Sequence, residues 1–246
     1  MSNKGKIRQS GFSLMELLVA VFILAIVVAG IFQQIEKAQS RYMVEDQKLD
    51  LTQQEREFID QFARDLHQSG FPSIAEYGTP ALGWNSHYVA SGLWSLSDSS
   101  LAIEGDVDGD GVVDSVRYTY DDGSSWTGTG PNPCPCLRRS QLQKTLDDWP
   151  WNQAAPVYYT EVQNVIIPAT TRPVFTAYKI DGSTVTLNST PIVLGSGTAV
   201  DPTAKATLQS IKAIRITLTT QGKLKDPDVK KTIEVTMTGM ARLPNN

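Results

Sequence analysis

The sequence has few of the residues that carry redox, metal or acid–base chemistry. Among 246 residues there are two cysteines and two histidines. Neither G-x-S-x-G nor H-E-x-x-H occurs, so the patterns typical of serine hydrolases and zinc peptidases are missing. Structural zinc needs four ligands, and Cys134 with Cys136 supplies half a site, while a bridge between residues two apart is strained and uncommon. We therefore expect a protein that is not an enzyme, with unpaired or strained thiols in a loop.

Basic residues are in the minority. The chain carries 22 lysines and arginines against 26 aspartates and glutamates, a formal charge of −4. All three charged residues within 1–11 are basic. Without that segment, 19 lysines and arginines stand against 26 aspartates and glutamates, a formal charge of −7. Nucleic-acid-binding domains usually present a basic surface. We expect no nucleic acid among the partners.

One long hydrophobic run stands out, and it lies at the N-terminus. Residues 12–32 span 21 positions, and every residue from Leu17 to Phe32 is apolar or glycine. A helix of this length crosses a hydrocarbon core of about 30 Å. The basic residues precede the run, so the positive-inside rule leaves the N-terminus in the cytoplasm. The pattern predicts a single membrane pass with the remainder of the chain outside.

The start of this run carries a second pattern. A short basic segment ends in Gly11, Phe12 follows, and Glu16 stands four residues further on. These residues, GFSLMELLVAVFILAIV, resemble the type IV prepilin signature. The resemblance implies a leader of residues 1–11, which a prepilin peptidase cuts off between Gly11 and Phe12 before methylating the new amine. It also implies a bacterial inner-membrane precursor that later enters a pilus or a periplasmic filament.

Glu16 is an unusual residue for a membrane segment. A charged carboxylate at the bilayer centre costs about 2.5–3.5 kcal/mol, and less near the interface. Cleavage would leave a positive amine on Phe12, and opposite unit charges 4 Å apart attract by about 4 kcal/mol at an effective dielectric near 20. In the family resembled, the glutamate of an incoming subunit pairs with the terminal amine of a neighbour. The resemblance assigns Glu16 to assembly; the alternative is that Glu16 lies among the headgroups.

The helical pattern continues beyond the apolar run. Apolar residues, among them Ile35, Tyr42 and Leu49, recur at spacings of three, four and seven, the period of one helix face. Gly70-Phe71-Pro72 is a signal that ends a helix. We predict one helix over residues 12–69, with its first half in the membrane and its amphipathic second half on a globular domain.

The rest of the chain, residues 70–246, changes to period-two patterns. VRYTY, IKAIRITLTT and TIEVTMTGM alternate apolar and polar residues, with Gly, Pro, Asn and Asp clustered between such runs. These features predict a domain of mainly antiparallel strands. We expect residues 121–156 to form a long loop with a short helix near 140–148, and residues 221–231 to form the loop between the last two strands.

The order of these segments resembles a narrower group. QQEREFIDQFARDLHQSGFP, VFTAYKIDGSTV and the C-terminal strands resemble PilW-type minor pilins and, next, J-type pseudopilins of type II secretion. The resemblance implies an α+β, pilin-like fold and a minor pilin that takes part in assembly or tip priming of a type IV pilus. Its partners would be the prepilin peptidase, other major and minor pilin subunits, and the inner membrane before assembly. The alternatives are a pseudopilin, or a signal-anchored extracytoplasmic domain that binds calcium.

EGDVDGDGVVDSVRYTY contains alternating aspartates followed by Gly111, as at the start of an EF-hand calcium loop. Calcium takes six to eight hard oxygens, which closely spaced carboxylates on a tight turn can supply. Arg117 occupies the position where the bidentate glutamate is expected. The alternative is an Asp/Gly-rich hairpin turn. The candidate ligands for Ca²⁺ are Asp106, Asp108, Asp110, Asp114 and the main-chain carbonyl of Val112.

Overall fold

The computed structural model describes residues 13–77, 83, 85–124, 134–145, 147–153, 156–167 and 174–244. The helices are α1 (Leu14–Gln68) and α2 (Pro202–Ser210), with 3-10 turns at Ile74–Tyr77 and Pro150–Asn152. The strands are β1 (Gly92–Leu96), β2 (Ser100–Gly105), β3 (Asp114–Asp122), β4 (Pro135–Gln143), β5 (Tyr159–Gln163), β6 (Phe175–Lys179), β7 (Thr184–Val185), β8 (Ile192–Val193), β9 (Gly195–Ser196), β10 (Ala199–Val200), β11 (Ile211–Lys225) and β12 (Thr232–Arg242).

The described strands form antiparallel sheets. One has six strands in the order β5-β4-β3-β2-β1-β8, another has four in the order β12-β11-β6-β7, and β9 pairs with β10. The second half of α1 packs against both larger sheets. The predicted α+β, pilin-like architecture, one long N-terminal helix on antiparallel sheets, is confirmed.

Aromatic side chains fix α1 between the two larger sheets. Phe58, Phe62 and Leu66 are buried at four-residue spacing along one helix face. The ring of Phe62 lies 5.4 Å from that of Tyr118 in β3 and 5.9 Å from that of Phe175 in β6. Each such pair contributes about 0.5–1.5 kcal/mol beyond its buried area. The helix therefore serves as the common core of the two sheets.

The predicted packing face is wrong in the middle of α1. Ile35, Tyr42 and Leu49 are 45–76% exposed, whereas Val44 and Leu51 are buried. The buried face also includes the carboxylates of Glu55 and Asp65, which a count of apolar residues leaves out. Both carboxylates have partners in the strands, and these partners favour the packing of this face.

The end of α1 is tied directly to β2. Helix α1 ends at Gln68, and Gly70 has a positive φ of 80°. The Gly70 N–H donates to the carbonyl of Glu104 at 2.8 Å. At Gly105 a Cβ would lie 2.3 Å from the carbonyl oxygen of Gln68, so only glycine fits this approach. The aspartate-rich segment that follows Gly105 is thereby held beside the helix end.

Two predicted loops contain strands. Residues 121–156 include β4, and no helix occurs among the described residues of 140–148. Strand β11 continues to Lys225, so the turn to β12 begins at Asp226. The reason for the first difference is polar burial: Arg138 of β4 is fully buried. Its partner Asp121 lies in β3, at 2.8 Å, and pairs like this carry no hydrophobic signature in the sequence.

Glu55 is a buried carboxylate between α1 and β11. The Thr220 hydroxyl donates to Glu55 Oε1 at 2.8 Å, and Oε2 accepts no hydrogen bond from the described residues. Burial raises the pKa of Glu55 from 4.5 to about 7, although the hydrogen bonds from Thr220 oppose the rise. The folded protein therefore favours the protonated form of this side chain.

Replacing Glu55 by Gln should remove a pH-dependent loss of stability. The pKa of Glu55 is raised from 4.5 to about 7 on folding. Its contribution to the free energy of unfolding is therefore full below about pH 4.5 and is lost as the pH rises through 7. At 1.36 kcal/mol per unit, the wild type should lose about 3 kcal/mol of unfolding free energy relative to Glu55→Gln across this window. Chemical denaturation of the mature chain in detergent, followed by tryptophan fluorescence, measures the difference.

Glu57→Gln provides the matched control, since Glu57 is exposed two residues further along the same helix. Its stability should follow that of the wild type at every pH. Parallel pH profiles for Glu55→Gln and the wild type would contradict the assignment.

Candidate functional site

Helix α1 begins two residues after the predicted cleavage point. Gly11 and Phe12 lie outside the described residues. The carbonyl of Ser13 accepts hydrogen bonds from the N–H groups of Glu16 and Leu17, at 3.0 and 3.1 Å. Glu16 is exposed in the first turn, and its carboxylate accepts no hydrogen bond from the described residues. A negative charge there lies at the positive end of the helix dipole and is free to meet another molecule.

The first half of α1 is apolar on all sides and packs against nothing in the described residues. All large apolar side chains from Leu14 to Phe32 are between 38% and 80% exposed. The helix is long and apolar enough to cross a membrane. The 19 residues from Leu14 to Phe32 would span about 28 Å at 1.5 Å per residue.

The second half of α1 is held by a buried charge as well as by aromatic rings. Asp65 accepts from Arg139 Nε of β4 at 2.9 Å and from the hydroxyl of Tyr118. Burial raises the pKa of Tyr118 well above its usual value, so the hydroxyl keeps its proton and donates. Breaking a buried pair by removing one partner typically costs about 3–5 kcal/mol. This cluster fixes the direction in which α1 leaves the domain.

The aspartate loop, residues 106–114, joins β2 to β3. Asp106 is 7% exposed, and its two oxygens accept from the N–H groups of Gly109 and Gly111 at 2.8 and 3.0 Å. Both glycines have positive φ, 77° and 86°, which other residues rarely adopt. The main chain therefore wraps around the Asp106 carboxylate.

The loop brings together three of the predicted ligands. Carboxylate oxygens of Asp106, Asp108 and Asp110 lie within 4.8 Å of one another. Asp114 is not in that group; its side chain is buried and accepts from Gln141 Nε2 at 3.0 Å. Burial, followed by repulsion from Asp108, raises the pKa of Asp114 to about 6.

Side chains of β4 contribute to the loop, and sequence reasoning missed them. Gln143 Nε2 donates to Asp110 Oδ2 at 3.1 Å. Arg117, at the position of the missing glutamate, is directed elsewhere: its guanidinium lies 5.0 Å from the ring centre of Trp94. Gln141 and Gln143 could have been recognised as partners of the loop only by predicting β4 and its pairing with β3.

A fully buried ion pair lies at the base of the aspartate loop. Lys144 Nζ donates to Glu104 Oε2 at 3.0 Å, and neither side chain is exposed. Burial raises the pKa of Glu104, against the attraction of Lys144. The N–H of Lys144 also donates to the carbonyl of Val113 at 2.7 Å. This pair anchors the segment after β4 against both ends of the loop and has no role in the predicted site.

The region predicted to be a loop, residues 121–156, contains further ordered contacts. Cys134 and Cys136 form a disulfide, so the thiols are not unpaired, and Cys136 lies in β4 rather than in a loop. Trp149 and Trp151 stack with ring centres 5.1 Å apart, and Trp151 Nε1 donates to the carbonyl of Gly197 at 2.9 Å. The described residues of this region therefore contact one another and the turn at Gly197.

Comparison with known proteins agrees with this architecture at the N-terminus. Residues 6–32 match the family model of the prokaryotic N-terminal methylation motif, a range that includes Gly11, Phe12 and Glu16. The motif and the long apolar helix indicate a type IV pilin or pseudopilin and are consistent with membrane anchoring. Among curated proteins and solved structures, none matches this chain.

Proposed function

We propose that this chain is a minor pilin subunit that takes part in assembly or tip priming of a type IV pilus. A prepilin peptidase would cut between Gly11 and Phe12 and methylate Phe12. The methylation motif at residues 6–32 supports the processing step. The observation that carries the proposal is the coupling of this motif to a 55-residue helix whose apolar half is left uncovered by its own domain.

The uncovered half of α1 requires a partner. Fully burying one large apolar side chain stabilises a protein by about 1.5–3 kcal/mol. For the exposed apolar side chains from Leu14 to Phe32, the total is on the order of 20 kcal/mol. Lipid covers this surface before assembly, and the apolar helices of neighbouring subunits replace the lipid afterwards. The same surface thus serves both as anchor and as filament core, which supports a structural role rather than an enzymatic one.

Glu16 gives this packing its register. Apolar helices can slide past one another with little change in buried area, because hydrophobic contact is non-directional. A carboxylate in an apolar bundle is costly unless a positive charge lies beside it. The amine that cleavage exposes on Phe12 of a neighbour supplies that charge at one axial position, since it exists only after the leader has gone.

The second candidate is a pseudopilin of a type II secretion system. A pseudopilin would have the same motif and the same long helix. The two candidates therefore differ in the filament that contains the chain. Sheared surface pili should contain the subunit in small amounts relative to the major pilin if it is a minor pilin. Its absence from sheared pili, together with a secretion defect on deletion, would favour the pseudopilin.

Calcium binding at the aspartate loop is a separate proposal. It is supported by the EF-hand-like spacing and by the convergence of Asp106, Asp108 and Asp110. Asp114 and the Val112 carbonyl would complete the protein ligands, with water in the remaining positions. Burial is the main cause of the raised pKa of Asp114, and the ion would offset the further contribution from repulsion by Asp108.

Processing and assembly can be tested on one variant. Mass spectrometry of the mature chain should find an N-terminal methylated Phe12. Glu16→Leu should be processed normally yet enter filaments at least 10-fold less than the wild type, because the attraction lost is a few kcal/mol and each 1.4 kcal/mol is tenfold. Immunoblots of the membrane and sheared-filament fractions measure the partition.

Glu36→Leu is the matched control for Glu16→Leu, since Glu36 is exposed on α1 beyond the apolar run. It should assemble as the wild type does. Normal incorporation of Glu16→Leu would refute the register role, and an uncleaved N-terminus would refute the pilin assignment itself.

The calcium proposal predicts a contrast between two variants. Calcium should raise the melting temperature of the wild type and leave that of the double variant Asp108→Ala, Asp110→Ala unchanged. Asp106→Ala should melt lower with and without calcium, because Asp106 closes the loop through two backbone N–H groups. Equal calcium-dependent shifts of the melting temperature for the wild type and the double variant would refute calcium binding by Asp108 and Asp110. The loop would then be a hairpin turn without a metal site.

A further inference from the structure

The β11–β12 hairpin follows α1 toward its apolar half. Thr220 contacts Glu55, the N–H of Leu224 donates to Gln47 Oε1 at 3.0 Å, and Asp228 pairs with Arg41 at 2.9 Å. The α1 residues that contact the hairpin thus lie closer to the N-terminus of the helix as the hairpin approaches its turn. Among ion pairs and hydrogen bonds between α1 and the rest of the described chain, the Arg41 pair lies nearest the apolar run.

The turn of this hairpin is rich in lysine. Residues 223–231, here called the hairpin tip, contain four lysines and two aspartates, a net charge of +2 in a chain whose processed form carries −7. All four lysines are exposed, and so are the apolar side chains of Leu224, at 38%, and Val229, at 61%. The lysines are Lys223, Lys225, Lys230 and Lys231.

The hairpin tip is preformed by its own hydrogen bonds. Asp226 Oδ1 accepts from the N–H groups of Asp228 and Val229, at 2.8 and 3.1 Å. The N–H of Lys230 donates to the carbonyl of Asp226, and the N–H of Asp226 donates to the carbonyl of Lys231. Both aspartates of the tip therefore have structural partners within the protein, Asp226 in the turn and Asp228 on Arg41.

The hairpin tip lies about one Debye length beyond the headgroup layer of the membrane that α1 would span. Arg41 is nine residues beyond Phe32, a rise of about 14 Å along α1. The headgroup layer occupies about 5–7 Å of that distance. The remaining gap of about 8 Å is close to the Debye length at physiological ionic strength. Lysine side chains, with their long flexible stems, can shorten it further.

From this geometry we propose that the hairpin tip docks on anionic phospholipid headgroups of the membrane that α1 spans. The four lysines reach toward the phosphates, and the exposed side chain of Val229 lies at the turn between them. This contact orients the globular domain before assembly and is released when the subunit leaves the bilayer. Clusters of lysine next to a membrane span have this affinity for anionic lipid, while α1 supplies the main anchor. The inference rests on membrane insertion of α1, which belongs to the proposed function.

A fluorophore on Val229→Cys reports the contact, because both native cysteines are bonded to each other. The mature full chain is placed in nanodiscs that contain a headgroup-nitroxide lipid as quencher. Quenching should be strong with phosphatidylglycerol, weak with phosphatidylcholine alone and weakened by high salt. Inorganic phosphate added to phosphatidylcholine discs should not restore it, which separates a lipid surface from free phosphate. Lys230→Gln with Lys231→Gln should lower the contact equilibrium constant by roughly 30-fold.

The matched control removes two lysines at the other end of β11. Lys179 pairs with Ile211 at the start of that strand, and Lys205 lies on α2 just before it. Lys179→Gln with Lys205→Gln makes the same charge change and should leave the quenching unchanged.

A second fluorophore, on Val21→Cys with an acyl-chain quencher, reports insertion of α1. Quenching at Val21 without a phosphatidylglycerol-dependent signal at Val229 would overturn the docking proposal alone. Quenching at Val229 that is independent of lipid charge would also overturn the docking proposal alone. No quenching at Val21 would overturn both the docking proposal and the membrane anchoring on which the proposed function depends.

Discussion

Phe62 lies where α1 and the two larger sheets meet, and the remainder of the fold is arranged around that contact. Its ring packs on Tyr118 of the six-stranded sheet and on Phe175 of the four-stranded sheet. The two sheets share no strand. The helix packs on both of them, and the segment after β5 also joins them through the bridge between Val165 and Thr220 of β11. Because one helix carries both the core and the apolar run, the position of the domain relative to the apolar run is set by the same packing.

Buried charges give this packing its specificity. Asp65 with Arg139, Asp121 with Arg138 and Glu104 with Lys144 each join different parts of the chain. An ion pair taken out of water is satisfied in one register only, so each pair adds to the register that the buried apolar side chains already favour. The first of these pairs fixes α1 on β4, and the third fixes the segment after β4 on β2.

A consequence is that the candidate functional features lie at different positions along the helix. Glu16 stands in the first turn, the hairpin tip reaches Arg41, and the aspartate loop starts beside the C-terminal end at Gln68. A subunit that enters a filament would therefore present the tip at the membrane-facing end of its domain and the aspartate loop at the opposite end. Each feature then meets a different environment before and after assembly.

Local sequence determined the elements whose signals are short in range. The apolar run and Glu16 with its spacing from Phe12 need no tertiary contact to be recognised, and neither do the helix stop at Gly70 and the alternation in β3, β11 and β12. The spacing of Asp106, Asp108 and Asp110 likewise predicted a turn that brings carboxylates together, which the structure shows.

Tertiary structure decided the features in which polar groups are buried. Strand β4 has proline, cysteine and two arginines where alternation is expected. Its arginines are tolerated there because Arg138 pairs with Asp121 of β3 and Arg139 pairs with Asp65 of α1. The packing face of α1 was misjudged for the same reason, since Glu55 and Asp65 are on it. The alignment of the hairpin tip with Arg41 joins residues 187 positions apart, and no local pattern encodes a contact at that separation.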